Sequence, residues 1–292
     1  MSAAQPPTPP LRALVGAVAP RTLVVAGIRL AYDDDPRDGD DPRPVMVCLH
    51  AIGHGARDYA GLRDRLRDRF RVVAFDWPGH GASDDDVAPA SAERYAEILT
   101  GFLAGLGVER VLLVGNSVGG AAAIRYAAAH PDRVRGLVVA NPGGLFRRGL
   151  ATRLITRALA RGFRAGARGA RWFPRVFAAY YRRVLREPDA AAQRARIVAS
   201  AREIAPVLAE AWTSFASPAS DLRDVAATLR MPVLVAWATR DPVNPLWANR
   251  AGIARIPDAT CETFAAGHSP FLETPAAFDA ALHRFTARLP CP

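Results

Sequence analysis

The stretch Val111-Leu112-Leu113-Val114-Gly115-Asn116-Ser117-Val118-Gly119-Gly120 decides how the rest of the chain is read. Four consecutive valine or leucine residues describe a strand buried on both faces. Residues 121–129 are alanine-rich and favour a helix. A strand that passes directly into a helix must bend within a few residues. The residue at the apex is then pressed against its neighbours two positions away on either side. Gly115 and Gly119 hold those positions and have no Cβ to clash. Ser117 is therefore expected to project from a sharp turn, with its backbone N–H at the start of the helix, in the G-x-S-x-G arrangement of a nucleophile elbow. Glycine and serine are common in loops, so the pattern takes its weight from the strand before it and the helix after it.

On the amino-terminal side, residues 22–26 and 28–32 are strand-like runs around Gly27 and suggest a hairpin. An acidic, proline-containing turn at 33–44 leads to an apolar strand at 45–49, which ends in His50-Ala51-Ile52-Gly53-His54-Gly55. Leu62 and Leu66 mark a short helix, and 71–76 is another strand, followed by Trp77-Pro78-Gly79-His80-Gly81-Ala82-Ser83. Tyr95, Ile98, Leu99, Phe102, Leu103 and Leu106 keep helical spacing, with Gly107 placed to stop the helix. Beyond the elbow, 134–140 is a strand. The alternation then breaks at Asn141-Pro142-Gly143-Gly144, and 146 to about 219 shows helical periodicity without a strong strand. Strands and helices resume at 231–238, 246–254 and 259–264, and 274–289 is a final helix. The expected fold class is α/β: a mostly parallel sheet with helices on both faces and a helical cap insertion. The core is expected to comprise 21–145 and 223–292, the insertion 146–222, and a disordered, proline-rich leader 1–20. No internal repeat is visible.

Composition narrows the chemistry. The 292 residues suit one large domain with an insertion, and half of them are hydrophobic, enough for a sizeable core. All of the cationic side chains behind the net charge of +10 are arginine, which excludes a Schiff-base lysine. Cys48, Cys261 and Cys291 show no paired metal-ligand spacing, and their odd number argues against a disulfide framework. No metal site and no nucleic-acid motif is read. No apolar run reaches the length of a membrane span and no signal peptide is recognised, which leaves the cytoplasm as the expected compartment.

A serine hydroxyl needs a general base, and the base needs a carboxylate to orient it. His268, in Gly267-His268-Ser269-Pro270-Phe271, follows a strand, and so does Asp241, in Thr239-Arg240-Asp241-Pro242. All three residues then fall at carboxyl ends of parallel strands, where open α/β sheets place their sites. The order Ser…Asp…His is the one that goes with an elbow on such a sheet. Asp241 before proline also reads as a turn former, and His268 as a loop histidine. Glu262 and Glu273 are the competing acids, but Glu262 lies within a strand and Glu273 is close to His268 along the chain. Asn141 is not acidic. His80, His130 and His283 are read as structural. The developing oxyanion needs two donors, expected from the backbone N–H groups of Val118 and Ile52; one such donor is worth roughly 3–4 kcal/mol in the transition state. A substrate pocket is expected to draw on His50, Asn116, Trp172 and Phe271.

These residues resemble the α/β-hydrolase superfamily in its cap-bearing form, over nearly the whole chain from Thr22. The likeness rests on His50-Ala51, on Asp76-x-Pro78-Gly79-His80-Gly81-x-Ser83, on the elbow, on Asp241, and on Gly267-His268-x-Pro270. Within the superfamily, His50-x-x-Gly53-x-Gly55-Ala56, Gly115-Asn116-Ser117 and Pro142-Gly143-Gly144-Leu145 look like the meta-cleavage-product hydrolases. Those enzymes cleave carbon–carbon bonds in vinylogous diketones without a cofactor. Ala51 departs from their usual glycine, and Ser269 stands where that group commonly has tryptophan. A serine nucleophile sets the chain apart from the related haloalkane dehalogenases and epoxide hydrolases, which use aspartate.

The expectation is thus a cofactor-independent serine hydrolase acting on a small molecule, with carboxylic esters first and a diketone-type substrate of C–C hydrolysis second. A ligand receptor on the same fold and an acyltransferase remain open. The insertion would cover the site. Arg153, Arg157, Arg161, Arg164 and Arg168 fall three or four apart on one helical face, with Leu150, Leu154 and Leu159 elsewhere around it. The simplest reading is a solvated face; recognition of an acidic substrate and docking to an anionic membrane surface are the functional ones. Gly162, Gly166 and Gly169 suggest a stretch that moves, as lids do. Oligomeric state is not legible.

Overall fold

The computed structural model describes residues 20–37 and 41–289, so the expected leader lies outside the described residues except for Pro20. Eight strands form one sheet: β1 (Arg21–Val25), β2 (Ile28–Asp33), β3 (Val45–Leu49), β4 (Arg71–Phe75), β5 (Val111–Asn116), β6 (Val134–Ala140), β7 (Val233–Ala238) and β8 (Ala259–Phe264). Their spatial order is β1-β2-β4-β3-β5-β6-β7-β8. β1 and β2 form the expected hairpin, turning through Ala26 and Gly27 at φ +50° and +81°. Two adjacent left-handed residues give a turn whose twist matches that of the flanking strands. β2 joins β4 antiparallel, and every later pairing is parallel. β5 and β7 are buried at every position, on both alternating faces, so helices must cover the sheet on both sides.

Those helices include α1 (Ala60–Leu66), α2 (Ala92–Gly105) and α3 (Val118–Ala129). Between β6 and β7 the chain leaves the sheet for α4 (Leu150–Ala167), α5 (Phe173–Val184), α6 (Ala191–Ala199), α7 (Ala205–Ser214) and the single turn α8 (Arg223–Ala226). It closes with α9 (Leu246–Ile253), the short α10 (Pro270–Glu273) and α11 (Pro275–Thr286). α4 faces inward through Thr156, Ala160 and Phe163, all buried. The Phe163 ring stacks on Trp212 of α7, with centroids 6.4 Å apart. Gly162 and Gly166 do not interrupt α4. Gly166 is there for close packing: a Cβ added to it would lie 2.6 Å from the Phe173 ring. Among the described residues, no helix is long and apolar enough to cross a membrane.

The register sets up the site. Leu49 pairs with Gly115, Asn116 with Ala140, and Ala140 with Ala236. The carboxyl ends of β3, β5, β6 and β7 therefore stop in line, and the loops that follow them share one edge of the sheet.

Candidate active site

Ser117 sits at φ +54° and ψ −116°, between the end of β5 and the first residue of α3. That backbone is strained for any residue with a Cβ. Packing imposes it. A Cβ on Gly115 would lie 2.6 Å from the Gly119 carbonyl oxygen, and one on Gly119 would lie 2.3 Å from that of Leu49. The helix thus starts directly against β3, and only glycines allow the approach. Ser117 is half-buried while all its neighbours from 111 to 120 are buried, and its side chain does not cap α3.

Asp241 and His268 come together at this edge. His268 Nδ1–H donates to Asp241 Oδ2 at 2.6 Å, which leaves Nε2 as the free ring nitrogen. Asp241 Oδ2 also accepts from Asn141 Nδ2 at 2.6 Å, and Oδ1 accepts the N–H groups of Val243 (2.7 Å) and Asn244 (3.0 Å). Four donors hold the carboxylate in one orientation. The turn-forming role expected of Asp241 and its contact with the imidazole are therefore performed by the same side chain. Burial pushes the His268 pKa down, but the charge and hydrogen bond of Asp241, with the more distant Glu273, outweigh it, and the net shift is upward. Ser117 Oγ forms no hydrogen bond to the His268 ring in this structure; the side chain of the preceding residue, Asn116, ties the elbow to the histidine loop. Asn116 Nδ2 donates to the His268 carbonyl (3.1 Å), and Ser269 Oγ donates to Asn116 Oδ1 (2.8 Å).

Two supporting residues were not legible as such. Asn141 has φ +45°; while its Nδ2 holds Asp241, its Oδ1 accepts the Ala238 N–H at 2.7 Å. It braces the acid. Glu273, considered in the sequence only as a rival acid, accepts the N–H groups of Gly267 (2.9 Å), His268 (2.8 Å) and Ser269 (3.0 Å). It also accepts the N–H groups of Arg186 (2.9 Å) and Glu187 (3.3 Å), just beyond α5. One buried carboxylate thus fastens the histidine loop to the insertion. The signal in the sequence is faint: an acid five residues after the histidine, at the end of a proline-started turn.

The loop after β3 is organised by two buried histidines. Trp77 N–H donates to His50 Nε2 (2.9 Å), so His50 carries its proton on Nδ1 and donates it to the Ala51 carbonyl (2.7 Å). Gly53 N–H donates to His80 Nε2 (2.9 Å), and His80 Nδ1–H donates to the Pro78 carbonyl (3.0 Å). Burial holds both rings neutral, lowering His50 to about 4 and His80 to about 3. With Gly53 engaged by His80, the neighbouring Ile52 N–H is left without a partner among the described residues, and so is the Val118 N–H at the head of α3.

The four expected pocket residues separate. His50 and Asn116 are fully buried with their polar atoms engaged, and Phe271 is stacked on Tyr59 with ring centroids 4.5 Å apart. Trp172 is exposed at the start of α5. The side chains that reach the loops come from elsewhere in the insertion. A Cβ on Gly53 (φ +77°) would lie 3.2 Å from Tyr181 Oη, 3.3 Å from Ile204 Cδ1 and 3.4 Å from Leu208 Cδ2. A Cβ on Gly267 would lie 2.3 Å from the Val184 carbonyl oxygen. The insertion therefore presses on the loops carrying Ile52 and His268.

A model of the alpha/beta hydrolase family matches residues 46–281. An uncharacterised protein of Mycobacterium tuberculosis is 29% identical over 258 residues, 83% of this chain and 75% of that one. A 2-hydroxy-6-oxononadienedioate/2-hydroxy-6-oxononatrienedioate hydrolase of Paraburkholderia phymatum is 38% identical over 121 residues, 40% of this chain and 41% of its own length. The crystal structure of the enol-lactonase from Burkholderia xenovorans LB400 superposes with a TM-score of 0.75 at 23% identity, over 92% of this chain and 100% of that one. At that identity the likeness is one of fold.

Proposed function

Since the chain belongs to the alpha/beta hydrolase family, we propose that it is a serine hydrolase of carboxylic esters that works without a cofactor, its catalytic residues being Ser117, His268 and Asp241. Ser117 Oγ attacks the ester carbonyl carbon, and its proton passes to His268 Nε2. Asp241 keeps the imidazole in the tautomer that presents that lone pair and stabilises the imidazolium. The carbonyl oxygen becomes an oxyanion held by the N–H groups of Ile52 and Val118. Collapse expels the alcohol, which takes the proton from His268, and leaves an acyl group on Ser117. Water, deprotonated by His268, then attacks the acyl carbon; the bond to Ser117 Oγ breaks, the acid leaves, and His268 returns the proton to Ser117 Oγ. The insertion serves as a cap that excludes bulk water and selects the substrate, a small molecule; the proposed division is a core of 21–145 and 223–292 with a cap of 146–222.

The observation that carries this reading is the 2.6 Å contact between His268 Nδ1 and a carboxylate held by three further donors, on the loop that Asn116, next to Ser117, bonds directly. Labelling with a fluorophosphonate probe tests it. The tagged peptide should contain Ser117, and Ser117→Ala should abolish both labelling and steady turnover of p-nitrophenyl esters. Label on another residue, or turnover retained by Ser117→Ala, would refute it. A stoichiometric burst without turnover would point to a receptor, and transfer to an added alcohol to an acyltransferase.

A second reading, hydrolysis of a C–C bond in a dienone-type acid, is favoured by the likeness to the 2-hydroxy-6-oxononadienedioate/2-hydroxy-6-oxononatrienedioate hydrolase of Paraburkholderia phymatum. Turnover of such acids faster than of esters would select it. The same three residues and the same oxyanion donors would serve.

A further inference from the structure

Positive charge is not spread over this protein. Residues 146–186 contain twelve arginines and no aspartate or glutamate, while the whole chain has a net charge of +10. Everything outside that segment is therefore close to neutral. The arginines outside it are commonly paired: Arg43 with Asp41 (2.6 Å), Arg71 with Asp34 (2.7 Å), Arg94 with Asp86 (2.6 Å), Arg65 with Asp279. The row on α4 is different. Arg153, Arg157, Arg161, Arg164 and Arg168 are exposed, and among the described residues none meets a carboxylate; Arg164 contacts only the hydroxyl of Thr213. At 3.6 residues per turn they occupy an arc of about 80° around the helix. Leu150 falls within that arc and Leu154 beside it, not elsewhere around the helix as expected from the sequence, and they are 73% and 57% exposed. Trp172 and Val176, at the start of α5, add two more exposed apolar side chains beside exposed Arg171 and Arg175.

Unpaired guanidinium groups interleaved with exposed leucine, valine and tryptophan do not match a merely solvated surface, where leucine gains nothing from exposure. They match an interface that is anionic in its outer layer and apolar just beneath it. We propose that the outer face of α4 and the start of α5 docks this protein on an anionic lipid bilayer, with the arginines on the headgroups and Leu150, Leu154, Trp172 and Val176 in the acyl boundary. A nucleic-acid backbone would satisfy the charge but leave the aliphatic groups without a role. Because this segment also belongs to the proposed cap, docking would bring the membrane to the covered side of the site.

Co-sedimentation of the full chain with vesicles tests this, comparing pure phosphatidylcholine with an equimolar mixture of phosphatidylcholine and phosphatidylglycerol. The wild type should partition onto the mixed vesicles only, and salt should weaken it. Arg153→Gln/Arg157→Gln/Arg161→Gln should weaken binding on the order of a hundredfold, at several-fold per arginine. The same charge removed elsewhere, by Arg21→Gln/Arg67→Gln/Arg110→Gln, should leave it nearly unchanged. Leu154→Gln/Val176→Gln should also weaken it, with thermal melting showing each variant folded. Equal partition onto both vesicle types, no binding to either, or equal losses from the two arginine triples would overturn the proposal. So would tighter binding to duplex DNA that Leu154→Gln/Val176→Gln leaves unchanged. Ser117→Ala should bind vesicles like the wild type, so failure of the hydrolase reading and failure of this one are separable.

Discussion

Replacing Ser117 in two ways separates the chemistry of the elbow from its strain. The residue is held at φ +54° and ψ −116°, where a Cβ is disfavoured. Such a conformation costs about 1–3 kcal/mol when the surroundings impose it. Ser117→Ala removes the hydroxyl and keeps the Cβ, so the strain stays, and since the hydroxyl does not cap α3 its loss changes stability little. Ser117→Gly removes the Cβ as well. The relief is offset by about 0.4–1 kcal/mol from the greater freedom of glycine in the unfolded chain. The net gain of Gly over Ala is about 1 kcal/mol, which corresponds to a melting temperature about 2–4 °C higher in a protein of this size. Calorimetric melting of both variants in one buffer measures it, with ester turnover absent in both. If Ser117→Gly melts at or below Ser117→Ala, the elbow is not strained by its packing, and the account of Gly115 and Gly119 is wrong.

Other outcomes follow from the same geometry. The free-enzyme pH profile of kcat/KM should rise with an acid-limb pKa above 6.5, because His268 must lose a proton that Asp241 and Glu273 help it keep; a limb below 6.5 would contradict this. The raised pKa also means that protonated His268 stabilises the fold, a contribution complete below 6.5 and lost as pH climbs through the native value, so activity appears where that stability fades. His50 and His80 act in the opposite sense, being lowered to about 4 and about 3 by burial. Unfolding should become easier as pH falls below 6.5, by about 1.4 kcal/mol per pH unit for each ring until its native pKa is reached, and denaturant midpoints between pH 7 and 4 would show the slope. Glu273→Gln, which leaves five N–H groups facing a neutral amide, should lower stability by about 2–3 kcal/mol and reduce kcat more than it raises KM. Gly119→Ala, with its new Cβ 2.3 Å from the Leu49 carbonyl, should destabilise by about 1–3 kcal/mol or more and abolish turnover together, measured by melting and by p-nitrophenyl acetate hydrolysis.

The parts of this fold that a reader of the sequence can see are those written in local pattern. Apolar runs gave β3, β5, β6 and β7 nearly to the residue, and glycines two positions from Ser117 gave the elbow, because both depend on backbone geometry within a few residues. The contact between Asp241 and His268 was inferred from chain order and strand ends, and the parallel register does bring them together. Asn141 and Glu273 escaped for a common reason. Each was judged by whether it could itself be the acid, whereas its role is to hold a partner that lies 100 residues away for Asn141, or on a different segment for Glu273. Of the residues expected to line the pocket, His50, Asn116 and Phe271 have their polar atoms or ring faces engaged by the fold, and spacing alone does not reveal which partners saturate a side chain. On α4, alternation identified a charged face but not that Leu150 and Leu154 would remain exposed beside it, since the inward positions went to Thr156, Ala160 and Phe163.

The five N–H groups gathered by Glu273 have a mechanical implication. Three belong to the strap bearing the imidazole and two to the chain leaving α5, so the carboxylate works as an interlock. If the proposed cap swings at Arg186 and Glu187 to admit a reactant, it would pull on the peptide units at 267–269 and so disarm the gaping molecule, and reclosure would rearm it.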